Sequence, residues 1–202
     1  MFLTSEGVIS LVLDTRASAT SWDPRVKLAG DACLSIPLET VEISMIILGI
    51  DPAITHVGWG VIATQGNSIK YIASGVIDTN PKDSLPSRLA IISCTIEEII
   101  EIHKPQAAAM EEVFINKNAL SSLKLSHARG AIMAAIGRHG IELSEFAPNK
   151  VKKTLVGNGH AEKEQVVHMI NLLLPTAKIT RFDEADALAV AYTCSVNRAP
   201  RP

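Results

Sequence analysis

A chain of 202 residues, 47% hydrophobic and 20% charged with a formal net charge of −2, has the makeup of a single soluble globular domain rather than a disordered chain. No apolar run approaches the roughly 20 residues that a membrane helix requires. The three cysteines, Cys33, Cys94 and Cys194, are odd in number and lack a CxxC spacing, which argues against a disulfide scaffold and points to a reducing cytoplasm. In chain order, residues 1–44 show neither a helical period nor turn-linked strands; TRASATSWDPRVKLAGDACLS has the composition of loop. This segment is expected to be a tail or an over-extended start, with Met45 as the functional beginning. Regular organisation then follows. IILGI, VGWGVIAT and IKYIASGVIDT are predicted strands, with QGNS as a hairpin turn between the second and third. Leu85, Leu89, Ile92, Ile96, Ile99 and Ile100 mark a one-faced helix that returns the chain across the sheet. AAAMEE suits a buried parallel strand, KNALSSLKLSHARGAIMAAIGRHG a long helix, and IELSEF a fifth strand. PNKVKKTL, AEKEQVVHMINLLL and DEADALAVAYTCSVNR read as helices. The order describes an α/β fold, a mixed five-stranded sheet with a three-strand antiparallel meander, two parallel strands and helices on both faces.

Charge is unevenly placed. Between residues 116 and 163 the basic side chains Lys117, Lys124, Arg129, Arg138, Lys150, Lys152, Lys153 and Lys163 face only Glu142, Glu145 and Glu162. Such a cluster suits either a polyanionic partner or a solvated face.

The acids carry the chemistry. Asp51 ends the first predicted strand and Glu111 the fourth. A right-handed crossover makes these strands parallel neighbours, about 4.8 Å apart, with both tips on one edge. Asp183 and Asp186 are three residues apart and share a helix face. Ala185, Ala187, Ala189 and Ala191 let that helix come close to the sheet. Singly, each acid has an ordinary role as turn, strand-end or helix-capping residue. Together, four acids beside apolar stretches repel one another unless a cation joins them. Oxygen donors suit Mg²⁺ or Mn²⁺ and not zinc. Two such ions about 4 Å apart can activate a water and stabilise the leaving oxygen of a phosphodiester.

LGIDP, EEVFINKNALSSLKLSHARG, KVKKTLVGNGHAEKEQV and DEADALAVA resemble, in order and spacing, the RuvC Holliday junction resolvases of the RNase H-like superfamily, from Met45 to about Arg198. The resemblance implies that Asp51, Glu111, Asp183 and Asp186 bind metal and act in catalysis. It implies that Phe114 stacks on bases at the junction and that Lys152 and Lys163 lie near the scissile phosphate; the other lysines of the basic cluster, Lys117 and Lys153 among them, are expected to hold the DNA backbone without reading sequence. A further implication is a homodimer that nicks two strands of like polarity in four-way junction DNA, with two Mg²⁺ per subunit, Mn²⁺ as a substitute and 5′-phosphate products. RuvA and RuvB are the implied partners. Two departures stand out: Ala53 replaces the glycine after GIDP, and Ser126–His127 replaces Gly-Gln in the long helix. A methyl group at Ala53 is tolerable where φ is negative, and the small-residue character of the long helix keeps the dimer contact. The rival readings are an actin-like kinase, which needs a second phosphate loop absent here, a non-catalytic junction-binding protein, and a relative acting on RNA.

Overall fold

The computed structural model describes residues 45–113, 119–179 and 181–198. The expectations for residues 1–44, for Phe114 and for Lys117 lie outside those residues. Five strands and five helices follow the predicted order: β1 (Met45–Asp51), β2 (His56–Gln65), β3 (Ser68–Asp78), α1 (Leu85–His103), β4 (Ala107–Glu111), α2 (Ala119–Arg138), β5 (Glu142–Phe146), α3 (Pro148–Val156), α4 (Lys163–Leu173) and α5 (Phe182–Arg198). Sheet order is β3-β2-β1-β4-β5. The first three strands are antiparallel, and β4 and β5 run parallel to β1. The architecture is the expected one.

Local chemistry explains the turning points. Gln65 pairs with Ser68, leaving Gly66 and Asn67 as a two-residue turn, and Gly66 supplies the positive φ of 55° such a hairpin demands. Ser84 caps α1 by accepting from the Ser87 amide at 3.3 Å, with Pro86 in the first turn where a missing N–H costs nothing. At the other end Lys104 adopts φ 50° and its amide returns to the Ile100 carbonyl at 2.8 Å. The crossover through α1 then lays β4 beside β1, Ile47 against Ala107 through Ile50 against Met110.

Strand pleat sorts the core into two layers. Leu48, Ile50, Ala108 and Met110 point to one face and pack with Ile92 and Ile96 of α1 and Ala128 and Ile132 of α2. Ile47, Ala107 and Ala109 point to the other, against Val151 of α3, Ile170 of α4 and Leu188 of α5. The close seat of α5 has a cause that the helix's alanines only half supply. Gly49 on β1 and Gly60 on β2 leave the room: a Cβ on Gly49 would lie 2.6 Å from the Ala191 nitrogen, and one on Gly60 2.6 Å from Leu188 Cδ2. Alanines on the helix and glycines on the sheet jointly set that spacing.

Candidate active site

Asp51 and Glu111 follow directly from the pleat. Ile47 and Gly49 face α5, so Asp51, two residues on, faces it too; Ala107 and Ala109 do the same for Glu111. The two acids end neighbouring parallel strands, one step past the Ile50–Met110 pair. Across the antiparallel pair, Asp51 lies opposite Gly58. That glycine is where the first turn of α5 rests: a Cβ on Gly58 would stand 2.6 Å from the Asp183 carbonyl carbon. A bare backbone beside Asp51 therefore lets Asp183 and, one turn further, Asp186 reach the same edge. Asp51, Glu111, Asp183 and Asp186 are all partly buried.

The four acids act on one another electrostatically. Burial raises the Asp51 carboxyl well above its usual range, and Asp186, Glu111 and Asp183 raise it further, while Lys163 opposes them. Burial lifts Glu111 from 4.5 to about 7, with Asp186 adding to the rise and Lys152 and Lys163 countering it. Asp186 is raised by burial, then lowered by Lys163 and raised by Asp183, with Lys152 again lowering it. Lys163 of α4 thus acts on all three of these acids, and Lys152 of α3 on Glu111 and Asp186. Lys152 is half-buried because α3 turns Val151 and Leu155 inward; Lys163 is exposed at the first turn of α4, behind the Glu162–Gln165 capping box. Lys153 is exposed and is not among the charges acting on the acids.

Among the described residues, no three ligating side chains are gathered into a metal-holding group. The donor set still fits a hard divalent cation: all oxygen, with burial disfavouring the bare anions of Asp51, Glu111 and Asp186 and two lysines offsetting only part of the charge.

Several supporting residues escaped the sequence reading. Arg129 of α2 donates through Nη1 to the Glu111 carbonyl at 2.5 Å and through Nη2 to Glu145, bracing the end of β4. Arg138 is spent on Glu97 and Ser93, so part of the basic cluster is structural. Arg88, buried on α1, grips the loop that follows Asp51, donating to the Ile54 carbonyl at 2.9 Å, to Thr55 Oγ1 at 3.0 Å and to Thr79 Oγ1 at 2.9 Å. No sequence signal distinguishes these arginines from solvated ones. Gly58 and Gly60 do leave one: glycines two apart in a strand mark a face where another backbone approaches. Ala53 keeps a negative φ, since Lys104 is the only non-glycine with positive φ among the described residues; its methyl group is accommodated as anticipated. On α2, Leu120, Leu123 and Met133 are exposed, and Gly130 and Gly137 open onto free space.

A family model described as crossover junction endodeoxyribonuclease RuvC matches residues 47–194. The crossover junction endodeoxyribonuclease RuvC of Rickettsia felis is 56% identical over 155 residues, 76% of this chain and 99% of the relative; that of Rickettsia akari matches to the same extent. Among solved structures, Thermus thermophilus RuvC in complex with a Holliday junction substrate superposes with a TM-score of 0.70 at 34% identity, covering 75% of this chain and 93% of that one. The yeast mitochondrial Holliday junction resolvase shares the fold at 15% identity and a TM-score of 0.53, over 73% of this chain and 77% of its own.

Proposed function

The chain belongs to the RuvC family of crossover junction endodeoxyribonucleases and is a nuclease that resolves Holliday junctions; we propose that it does so through divalent cations held by Asp51, Glu111, Asp183 and Asp186. The observation that carries this reading is the electrostatic coupling of Asp51 at the end of β1 to Glu111 at the end of β4 and to Asp183 and Asp186 on α5, brought to one sheet edge by the fold. Asp51 sits on a stiff strand and anchors the set, Glu111 and Asp186 complete it, and Asp183 either ligates or orients the attacking water. Two Mg²⁺, for which Mn²⁺ can substitute, would supply the activated water and the charge that stabilises the departing oxygen. Lys152 and Lys163 offset negative charge developing on the phosphoryl oxygens. Attack at phosphorus with rupture of the bond to the 3′ oxygen leaves 5′-phosphate and 3′-hydroxyl ends. Phe114 is assigned to stacking on a base beside the crossover, and Lys117 and Lys153 to the DNA backbone.

A homodimer suits the task, because a junction presents two equivalent strands and a twofold axis can set one site on each. The exposed Leu120, Leu123 and Met133, with the small residues beside them on α2, support that helix as the contact. RuvA and RuvB are the proposed partners. No helix among the described residues is long and apolar enough to cross a membrane, and we place the enzyme in the cytoplasm. Residues 45–198 are taken to carry the nuclease. The test offers a synthetic mobile four-way junction, a linear duplex and an RNA hairpin to the full chain, with Mg²⁺ or with EDTA. Paired symmetric nicks on the junction alone, lost with EDTA and with Asp51→Asn, are expected. Equal cutting of all three substrates, or full activity of the Asp51 variant, refutes the assignment.

A further inference from the structure

Beside the four acids runs a chain of polar contacts that the nuclease chemistry does not use. His56 opens β2 and Asp78 closes β3, and the two are register partners across the strand pair. His56 Nδ1 donates to Asp78 Oδ1 at 2.6 Å. From the other side, Arg181 Nη1 donates to Asp78 Oδ2 at 2.7 Å and to Oδ1 at 3.0 Å. The second terminal nitrogen of the same guanidinium, Nη2, stands 3.4 Å from Asp183 Oδ2. Arg181 therefore bridges two carboxylates and is closer to Asp78.

That unequal division has a consequence for Asp183. A guanidinium fork binds a carboxylate through the same oxygen lone pairs that a hard cation requires. Arg181 and a divalent ion are competitors for Asp183, and a guanidinium fully engaged there would repel the ion as well as block it. Asp78 is held in place by the ladder and by His56, and its hydrogen bonds to Arg181 and His56 keep its carboxyl below the usual range, so it stays ionised and retains its grip. We propose that Asp78 is a positioning residue for the cation site: it draws the Arg181 guanidinium away from Asp183 and leaves the Asp183 carboxylate open to a divalent ion. The inference rests on the reading of Asp183 as a cation-holding residue.

The experiment is a double-mutant cycle on Mn²⁺ binding by the full chain without DNA, followed by the loss of the free-ion electron paramagnetic resonance signal. Asp78→Asn frees Arg181 to close on Asp183, and the Mn²⁺ dissociation constant is expected to rise about fivefold, within the usual range for coupled neighbours. In an Arg181→Gln background the competitor is gone, and the same Asp78→Asn change is expected to alter the constant by less than about twofold. A purely structural role for Asp78, or a simple loss of negative charge, weakens Mn²⁺ binding equally in both backgrounds; that result overturns the proposal. So does an Asp78→Asn protein that binds Mn²⁺ as tightly as the wild type. Mn²⁺ binding that is absent from the wild type, or indifferent to Asp51→Asn, overturns the cation-site reading itself and this inference with it.

Discussion

Glu111 gives the sharpest quantitative test of the site. Its carboxyl is raised from 4.5 to about 7, chiefly by burial and then by Asp186. Below pH 4.5 the group is protonated in folded and unfolded chains alike and its burial is harmless. Between pH 4.5 and 7 the unfolded chain ionises while the folded one keeps its proton, so stability falls as pH rises through that window. At about 1.4 kcal/mol per pH unit the metal-free protein loses about 3 kcal/mol by pH 8 from this group. Asp51 and Asp186 are raised for the same first cause and act in the same direction. Glu111→Gln removes the ionisation and keeps the shape, so in EDTA at pH 8 it is expected to be more stable than the wild type by about 3 kcal/mol, with no difference at pH 4. In a domain of this size that corresponds to about 6–12 °C in Tm. Added Mg²⁺ should raise the wild-type midpoint at pH 8 and leave the variant nearly unmoved, because the ion supplies the missing counter-charge only where the carboxylate remains. Urea titrations at the two pH values, with and without the ion, read all of this. A wild type that gains stability from pH 4 to pH 8 in EDTA, or a glutamine variant less stable than wild type at pH 8, would refute the reasoning.

Gly58→Ala places a methyl group against the Asp183 backbone; a displacement of about 1 Å costs about 1–3 kcal/mol of stability and about 100-fold in kcat, measured by thermal melts and by single-turnover junction cleavage. Arg88→Met removes the buried donor to the Thr55 and Thr79 hydroxyls and leaves the Ile54 carbonyl only its bond from the Thr79 hydroxyl, and a loss of about 1–3 kcal/mol in urea unfolding is expected. Lys163→Ala removes the cation that acts on Asp51, Glu111 and Asp186; junction affinity should fall modestly while kcat falls about 100-fold, a split that steady-state kinetics resolves. If phosphates dominate the contact, junction binding weakens steeply and log-linearly with salt, and a flat salt response in a filter-binding series would contradict that.

Strand and helix order were legible from apolar patterning, segment length and turn residues, because most elements from β1 to α5 bury one face or both; α2, which also exposes Leu120, Leu123 and Met133, was legible by its length and small-residue content instead. The four acids stood out as candidates through their place in the pattern and through the family resemblance. A carboxylate at the tip of a buried strand, or three residues from another on a small-residue helix, violates the pattern around it, and such violations gather at working sites. Position along the chain, however, holds no distance. That Asp51 faces α5 rather than α1 depends on pleat parity and sheet order, and that α5 lies close enough depends on Gly49, Gly58 and Gly60 standing under it. The arginines divide the same way: Arg129 braces the Glu111 backbone, Arg138 pairs with Glu97, and Arg181 is shared between Asp78 and Asp183. In sequence they are equivalent cations, since a charge acquires its role only from the partners folding brings within a few ångströms. Residue type and local pattern thus named the candidate groups, and tertiary packing alone decided which of them meet, because Coulomb energy and steric contact depend on distance through space rather than along the chain.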